Sequence, residues 1–472
     1  MGDLHKYKLP IIWIVIALSL GLACLFFTRT ETPITPIAVL PEKPTFSQHI
    51  APILLKNCLP CHRKNGAAPF SLESFSAVKK RAKTIARVTL ARYMPPWPAD
   101  PLYSHFIGEK VLSQIQIDMI QRWYKTGANE GPKIQFAYVP PLISRSTIRK
   151  PDLVVQFDSI ALHEGDQDRF YIMKAHVQIP QDRVVSALEF VPGVYGLVHH
   201  VNGHLLLYRD GNKKKPKYAN VTIDVSQPNQ TYRFKALELE QDDGSLPERI
   251  HSAFNYLPGV QGIEYPNGIG NFTLSKNFAV VLNDIHYGPS DQEAIDHSVL
   301  NIFFSKNKPK RKTSEIMLGT NGRSKITPPL VISPNQISTH FTRYTIDADI
   351  SVLTINPHLH QLGKSFLAFA IKPNGDTIPL IRINRWNFNW QYFYTFKKMT
   401  KIPAGSEIVA IAVFDNTTSN KSNPNRPPIE VRERFDTGGA SMRASDEMFQ
   451  CILTYTPYQT NDETISLEKN TP

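Results

Sequence analysis

Residues Pro357–Ile371 read PHLHQLGKSFLAFAI, an H-x-H pair followed, after Gly363, by an apolar run of strand length. On an extended strand His358 and His360 point to one face with their Cα atoms ~7 Å apart, near enough for both rings to hold one metal ion. The run Ser365–Ile371 stops at Pro373-Asn374-Gly375, a turn signal. Similar punctuation by Gly, Pro, Asn and Asp bounds Val184–Phe190, His204–Tyr208, Phe278–Leu282, Ser298–Phe304 and Glu407–Phe414. The chain after Pro151 therefore reads as all-β, sandwich or barrel. Its length exceeds what one core usually serves, which predicts two β domains, 150–308 and 309–460, with basic Lys306–Arg323 at the seam and a tail at 461–472.

Toward the N-terminus the pattern changes. Ile50, Ile53, Leu54 and Leu55 recur at helical spacing, and Ala77–Met94 and Leu112–Tyr124 continue it, so 45–135 is expected to form a small all-α domain. Linkers at 29–44 and 136–149 flank it, the first rich in proline. Residues 9–28 carry no charge and are long enough to span a bilayer as a helix. Lys6 and Lys8 in the short tail 1–8 favour the cytoplasmic side. The expectation is a single-pass protein of a bacterial cytoplasmic membrane with its bulk in the periplasm or outside the cell.

Composition narrows the classes. The chain has 472 residues, 42% hydrophobic, with a net charge of +12 spread along its length, and the only dense basic run is Lys306–Lys312, a solvated loop rather than a nucleic-acid surface. Of its four cysteines, Cys24 lies in the apolar segment, Cys58 and Cys61 share one motif, and Cys451 stands alone, so the β domains hold together without disulfides. That motif is Cys58-Leu59-Pro60-Cys61-His62, a C-x-x-C-H signature of covalent haem c, with thioethers at both cysteines and His62 as an axial ligand. Met94, in Tyr93-Met94-Pro95-Pro96, is the candidate distal ligand, and His105 the next.

Two further histidine clusters lie in β-rich text: Val198-His199-His200-Val201 and Asp284-Ile285-His286-Tyr287. Adjacent histidines on a regular strand point to opposite faces, so His199 and His200 need a bulge or different ring nitrogens to share an ion. Clustered imidazoles favour copper or zinc, and a thioether from Met448, in Asp446-Glu447-Met448, would favour copper.

The ordered set VHH, IHYGP, HLHQLGKSF and DEM, with Lys150-Pro151-Asp152-Leu153, Asp415-Asn416-Thr417 and Asn423-Pro424-Asn425, resembles the copper type II ascorbate-dependent monooxygenases over roughly residues 150 to 458. That family includes peptidylglycine α-hydroxylating monooxygenase and dopamine β-monooxygenase. With the N-terminal C-x-x-C-H module, the chain is similar to the bacterial branch. The resemblance implies two jelly-roll-like domains with one copper each: an electron-transfer copper on His199, His200 and His286, and an oxygen-activating copper on His358, His360 and Met448. It further implies O2, a small organic or peptide substrate whose C–H bond is hydroxylated, and an electron donor such as ascorbate, a quinol-linked protein or another cytochrome. The fused haem c is expected to relay electrons in place of ascorbate or between it and copper. The animal enzymes' disulfides cannot form here, and Asn356 stands where peptidylglycine enzymes carry a carboxylate-binding arginine, so amidation is not expected. His204 is an additional histidine near the first cluster, and Trp386, Phe388, Trp390, Tyr392 and Tyr394 alternate as a strand burying an aromatic face would. The rival reading is a non-catalytic haem- and copper-binding electron carrier.

Overall fold

The computed structural model describes residues 40–64, 66–137, 146–208, 219–226, 235–241, 243–258, 262, 264–270, 272–306, 310–433 and 445–468. The expected membrane segment 9–28, most of both linkers and Gly438-Gly439 lie outside these residues. Among the described helices none is long and apolar enough to cross a membrane. The described residues from Pro44 onward form one compact unit.

This unit is mostly β. Its helices are a π-helical turn, Phe46–Ile50, then α1 (Ala51–Asn57), α2 (Phe75–Lys80), α3 (Ala82–Leu90) and α4 (Gln114–Lys125). They share an apolar core that includes Phe46, Leu54, Ile85, Ile120 and Trp123. The helix expected over Ala77–Met94 is broken at Arg81, which leaves the helical region of φ and ψ between α2 and α3. A full capping box of Ser113 and Gln116 starts α4.

Eleven described strands come next in the chain: β1 (Leu153–Gln156), β2 (Ile160–Leu162), β3 (Arg169–Gln178), β4 (Arg183–Val191), β5 (Val198–Tyr208), β6 (Val221–Asp224), β7 (Glu248–Tyr256), β8 (Phe272–Leu274), β9 (Asn277–Tyr287), β10 (Ala294–Asp296) and β11 (Val299–Phe304). Sheets β1-β11-β4-β8 and β6-β3-β9-β5-β7 are antiparallel and close on one core of alternating inward residues, including Val185, Phe190, Val201, Leu205, Val280 and Ile302. The second set is β12 (Ser314–Gly319), β13 (Ile326–Thr327), β14 (Val331–Ile332), β15 (Ile337–Thr345), β16 (Ile350–Leu359), β17 (Gly363–Ile371), β18 (Thr377–Ile383), β19 (Tyr394–Ile402), β20 (Glu407–Asp415), β21 (Val431–Arg432) and β22 (Phe449–Pro457). Sheets β12-β22-β16-β19 and β13-β15-β20-β17-β18 pack over Ile355, Phe366, Ala410, Phe414, Cys451 and Leu453. Burial pushes the Cys451 thiol up to about 12, which keeps it an inert core residue.

One helical-region segment does not stay with the helices. Ala99 bridges Ile383, Phe106 bridges Phe396, and the Ile107 N–H donates to Thr395 O at 2.8 Å. Asp100 accepts from Arg382 Nε and Asn384 Nδ2, both at 2.9 Å. Trp97 and Phe106 lie 5.4 and 5.0 Å from the Tyr394 ring, so residues 97–107 complete the second sandwich's core.

The aromatic stretch 386–394 departs from expectation: only Tyr394 is in a strand, and the rest is loop. Its asparagines explain the difference. The Asn389 N–H donates to Asn387 Oδ1 at 3.0 Å and the Trp390 N–H to Asn387 O at 3.0 Å, so local side-chain turns override the period-two pattern.

On β12, burial raises the Glu315 carboxyl to about 7. Folding then takes up a proton, so its favourable contribution is complete below the ordinary carboxylate range and is lost as pH rises through about 7. Stability measured by urea unfolding should fall by roughly 3 kcal/mol between pH 5 and 8 from this group, and Glu315→Gln should flatten that slope.

Candidate metal centres

The first cluster is built by the β5–β9 ladder. Val198 pairs with Tyr287 and His200 with His286, so His199 is the extra residue of a bulge, the irregularity two adjacent histidines require to share an ion. The His199 and His200 rings lie 4.9 and 5.1 Å from that of His286. His286 is buried and stacks on Phe170 at 4.2 Å, with an interplanar angle of 6°. Its Nε2 lies 2.7 Å from Asp168 Oδ1, and ligand atoms of Asp168, His199 and His286 all fall within 4.8 Å of one another. Burial, with His200 nearby, pulls the His286 pKa down to about 4 despite the Asp168 bond, and burial also lowers that of His199. Both imidazoles are thus neutral at pH 7, the form that ligates metals. His204 pairs with Val281, further along the ladder.

Gly288 makes room for this arrangement. A Cβ there would sit 2.2 Å from His199 Nε2. The imidazole is the movable partner, so Gly288→Ala should leave the metal-free melting temperature nearly unchanged while displacing the ring. Copper titration should then show first-site affinity reduced by at least about tenfold.

The second cluster forms where β16 meets β22. His358 pairs with Gln450 and Leu359 with Phe449, and the ladder ends there, with His360 and Met448 the next residue on either chain segment. His358 and His360 are two residues apart on one extended segment, so their side chains share a face. The two rings are 5.1 Å apart and perpendicular. His360 is buried, and its Nδ1–H donates to Asp446 O at 3.0 Å, leaving the Nε2 lone pair for a metal.

Glu447 holds this junction together. It is 0% exposed, and its carboxylate accepts from His360 N–H (2.9 Å), Leu362 N–H (2.7 Å) and Met448 N–H (3.2 Å). Burial raises its pKa to about 8 against the pull of those donors. Phe388, from the aromatic loop, lies edge-on to His360 at 5.8 Å. Asn356 is buried and donates to Tyr392 O at 3.0 Å, so it ties the loop to β16.

The CLPCH turn follows α1, with Cys61 N–H and His62 N–H donating to Cys58 O at 3.2 and 2.8 Å. The His62 Nδ1–H donates to Phe70 O at 3.1 Å, which leaves Nε2 for an axial bond. Burial raises both thiols, Cys58 to about 12, and lowers His62. Arg63 lies 5.8 Å from the Tyr195 ring, and a Cβ on Gly196 would meet Gly66 O at 3.4 Å, so this loop rests on the turn that leads into His199. Met94 is half-buried on the loop after α3, its N–H donating to Val88 O at 3.2 Å. His105 is exposed and paired with Glu109 at 3.1 Å.

Sequence reasoning proposed the histidines and Met448 as ligands and did not single out Asp168 or the clamping role of Glu447. Asp168 carries no motif, and only the folded ladder brings it to His286. Glu447 was visible inside Asp446-Glu447-Met448, and its position beside a candidate ligand was the available signal.

Comparison with protein families matches residues 316–424 to the copper type II ascorbate-dependent monooxygenase C-terminal domain, a segment that holds His358 and His360 and stops before Met448. No curated protein matches. Among solved structures, the chain is similar to the cowpea mosaic virus top component at 9% identity, covering 64% of this chain and 89% of that one, with a TM-score of 0.20. It is similar to PNGF-II at 8% identity, covering 66% and 63%, with a TM-score of 0.20. Likenesses this distant carry no inference. The family match is narrower and firmer: residues 316–424, within the second sandwich, match the C-terminal domain of the copper type II ascorbate-dependent monooxygenases.

Proposed function

We propose that the chain is a dicopper monooxygenase that hydroxylates a C–H bond of an organic substrate, with a haem c fused in cis as electron relay and residues 9–28 as membrane anchor. The observation that carries this reading is the perpendicular His358 and His360 rings, 5.1 Å apart at the end of the β16–β22 ladder, with Asp446 and Glu447 bound to His360 immediately before Met448. Two imidazoles and one thioether form a donor set suited to copper cycling between Cu(I) and Cu(II), and poorly suited to magnesium or calcium. His199, His200 and His286 would hold the second ion. Copper at these sites supplies one-electron transfer and dioxygen activation.

The chain's own residues supply the geometry. Asp446 O and the Glu447 carboxylate fix His360 from the backbone side, and Phe388 shields its edge. Cys58, Cys61 and His62 would hold haem, with Met94 as distal ligand. The CLPCH loop's contact with Tyr195 and Gly196 favours electron delivery toward His199 over delivery to a distant acceptor. Hydroxylation of R–H by O2 consumes two electrons and two protons and forms R–OH and water, so one-electron relays must act twice per turnover. The test is stopped-flow mixing of the ascorbate-reduced, haem-matured protein with O2. The copper-loaded form should reoxidise its haem at least about tenfold faster than the copper-free form or His286→Ala; equal rates would remove the relay.

A further inference from the structure

We infer that Asp168 is a working member of the first metal centre: it accepts the Nε2–H of His286, turns Nδ1 toward the ion and adds a negative charge that favours Cu(II). This rests on the reading of His199, His200 and His286 as a copper site. Asp168 immediately precedes β3, whose Phe170 pairs with His286, and its Oδ1 lies 2.7 Å from His286 Nε2. A carboxylate can only accept that bond, so the lone pair of His286 is on Nδ1. His360 is held the opposite way, through Nδ1 to the neutral carbonyl of Asp446. The two centres therefore differ in charge as well as in donor atoms.

Neighbouring charge does not draw Asp168 away. Arg169 is occupied by Asp166 at 3.2 Å and Asp224 at 2.6 Å, with a further bond to Tyr171 OH at 2.7 Å. Among the described residues, His199 also lies in reach of Asp168, its ligand atom within 4.8 Å, with His200 nearby. The ring of His286 is also clamped by the parallel Phe170 face, so the Asp168 bond decides which nitrogen the ring presents. Carboxylate partners of metal-bound histidines fix the tautomer and raise ligand basicity, and their loss commonly costs 10–100-fold in metal affinity. A negative charge beside the ion stabilises Cu(II) over Cu(I) and so lowers the potential of this centre, as an electron donor to the Met-bearing centre requires.

The test compares full-length wild type, Asp168→Asn, Asp168→Glu and His286→Ala, each titrated with Cu(II) and with Cu(I). The first centre is the copper signal lost in His286→Ala. In Asp168→Asn, Cu(II) affinity at that centre should fall 10–100-fold, with Cu(I) affinity changed about tenfold less, which raises the potential by about 59 mV. Asp168→Glu should recover most of the Cu(II) affinity. Because the Asp168 side chain is 53% exposed, the metal-free melting temperature should be the same in all Asp168 variants. Unchanged Cu(II) and Cu(I) affinities in Asp168→Asn would overturn the role of Asp168 while leaving the copper site intact. No copper signal sensitive to His286→Ala would overturn the site itself and Asp168's role with it.

Discussion

Glu447→Ala should destabilise the second sandwich by roughly 3–5 kcal/mol and abolish Cu(I) binding at its histidine pair. The carboxylate is fully buried and accepts three backbone N–H groups, of His360, Leu362 and Met448. Alanine leaves all three donors without their acceptor, each at ~1–3 kcal/mol when buried, offset where water enters the vacated space. Because two of those donors belong to the candidate ligands, the same change frees both strand ends. Glu447→Gln keeps the shape and one acceptor oxygen but faces the remaining donor with an amide N–H, so it should lose less stability, on the order of 1–2 kcal/mol. Urea unfolding of the metal-free proteins separates the two, and Cu(I) titration reports whether the ligands remain aligned. A Glu447→Ala variant with wild-type stability and copper affinity would show that the clamp does nothing.

Phe106→Ala should cost about 3–5 kcal/mol, the range for removing a buried phenylalanine. Phe106 is 0% exposed and lies between the Tyr394 and Phe396 rings at 5.0 and 5.1 Å. Unlike a change inside the helical core, this loss falls on the junction of helices and second sandwich. Limited proteolysis should then cut within residues 97–107, where wild type resists, and urea unfolding should split into two transitions. The proposed electron relay should also slow if that docking helps hold the CLPCH loop, whose Arg63 lies 5.8 Å from the Tyr195 ring. A single transition with unchanged stability would show that residues 97–107 do not fasten the helices to the sandwich.

Much of the β architecture was legible because its strands carry clean punctuation. Ser365–Ile371 and Glu407–Phe414 lie within β17 and β20 as expected, the runs Val184–Phe190, His204–Tyr208 and Phe278–Leu282 lie within β4, β5 and β9, and β11 starts one residue after the expected Ser298. That His199 and His200 need a bulge or different ring nitrogens to share an ion was legible from the two-residue period of a strand, and the ladder shows the bulge. What escaped the sequence was non-local. Residues 97–107 show no strand period, because they meet the second sandwich through isolated bridges and side-chain bonds rather than a ladder. The aromatic loop had the right period and the wrong structure, since Asn387 offered its backbone a local partner. Asp168 reaches His286 only because β3 is the neighbour of β9, a pairing no local pattern encodes.

Whether this chain is a dicopper enzyme is decided by the number of coppers per haem in the full-length protein after Cu(II) reconstitution, with His286→Ala and Met448→Ile alongside. About two coppers per haem are expected. One should be lost in His286→Ala, and the other should lose about tenfold or more in Cu(I) affinity in Met448→Ile while its Cu(II) affinity changes less, since the thioether is the soft ligand. Copper near zero, or copper indifferent to both substitutions, would contradict the dicopper reading.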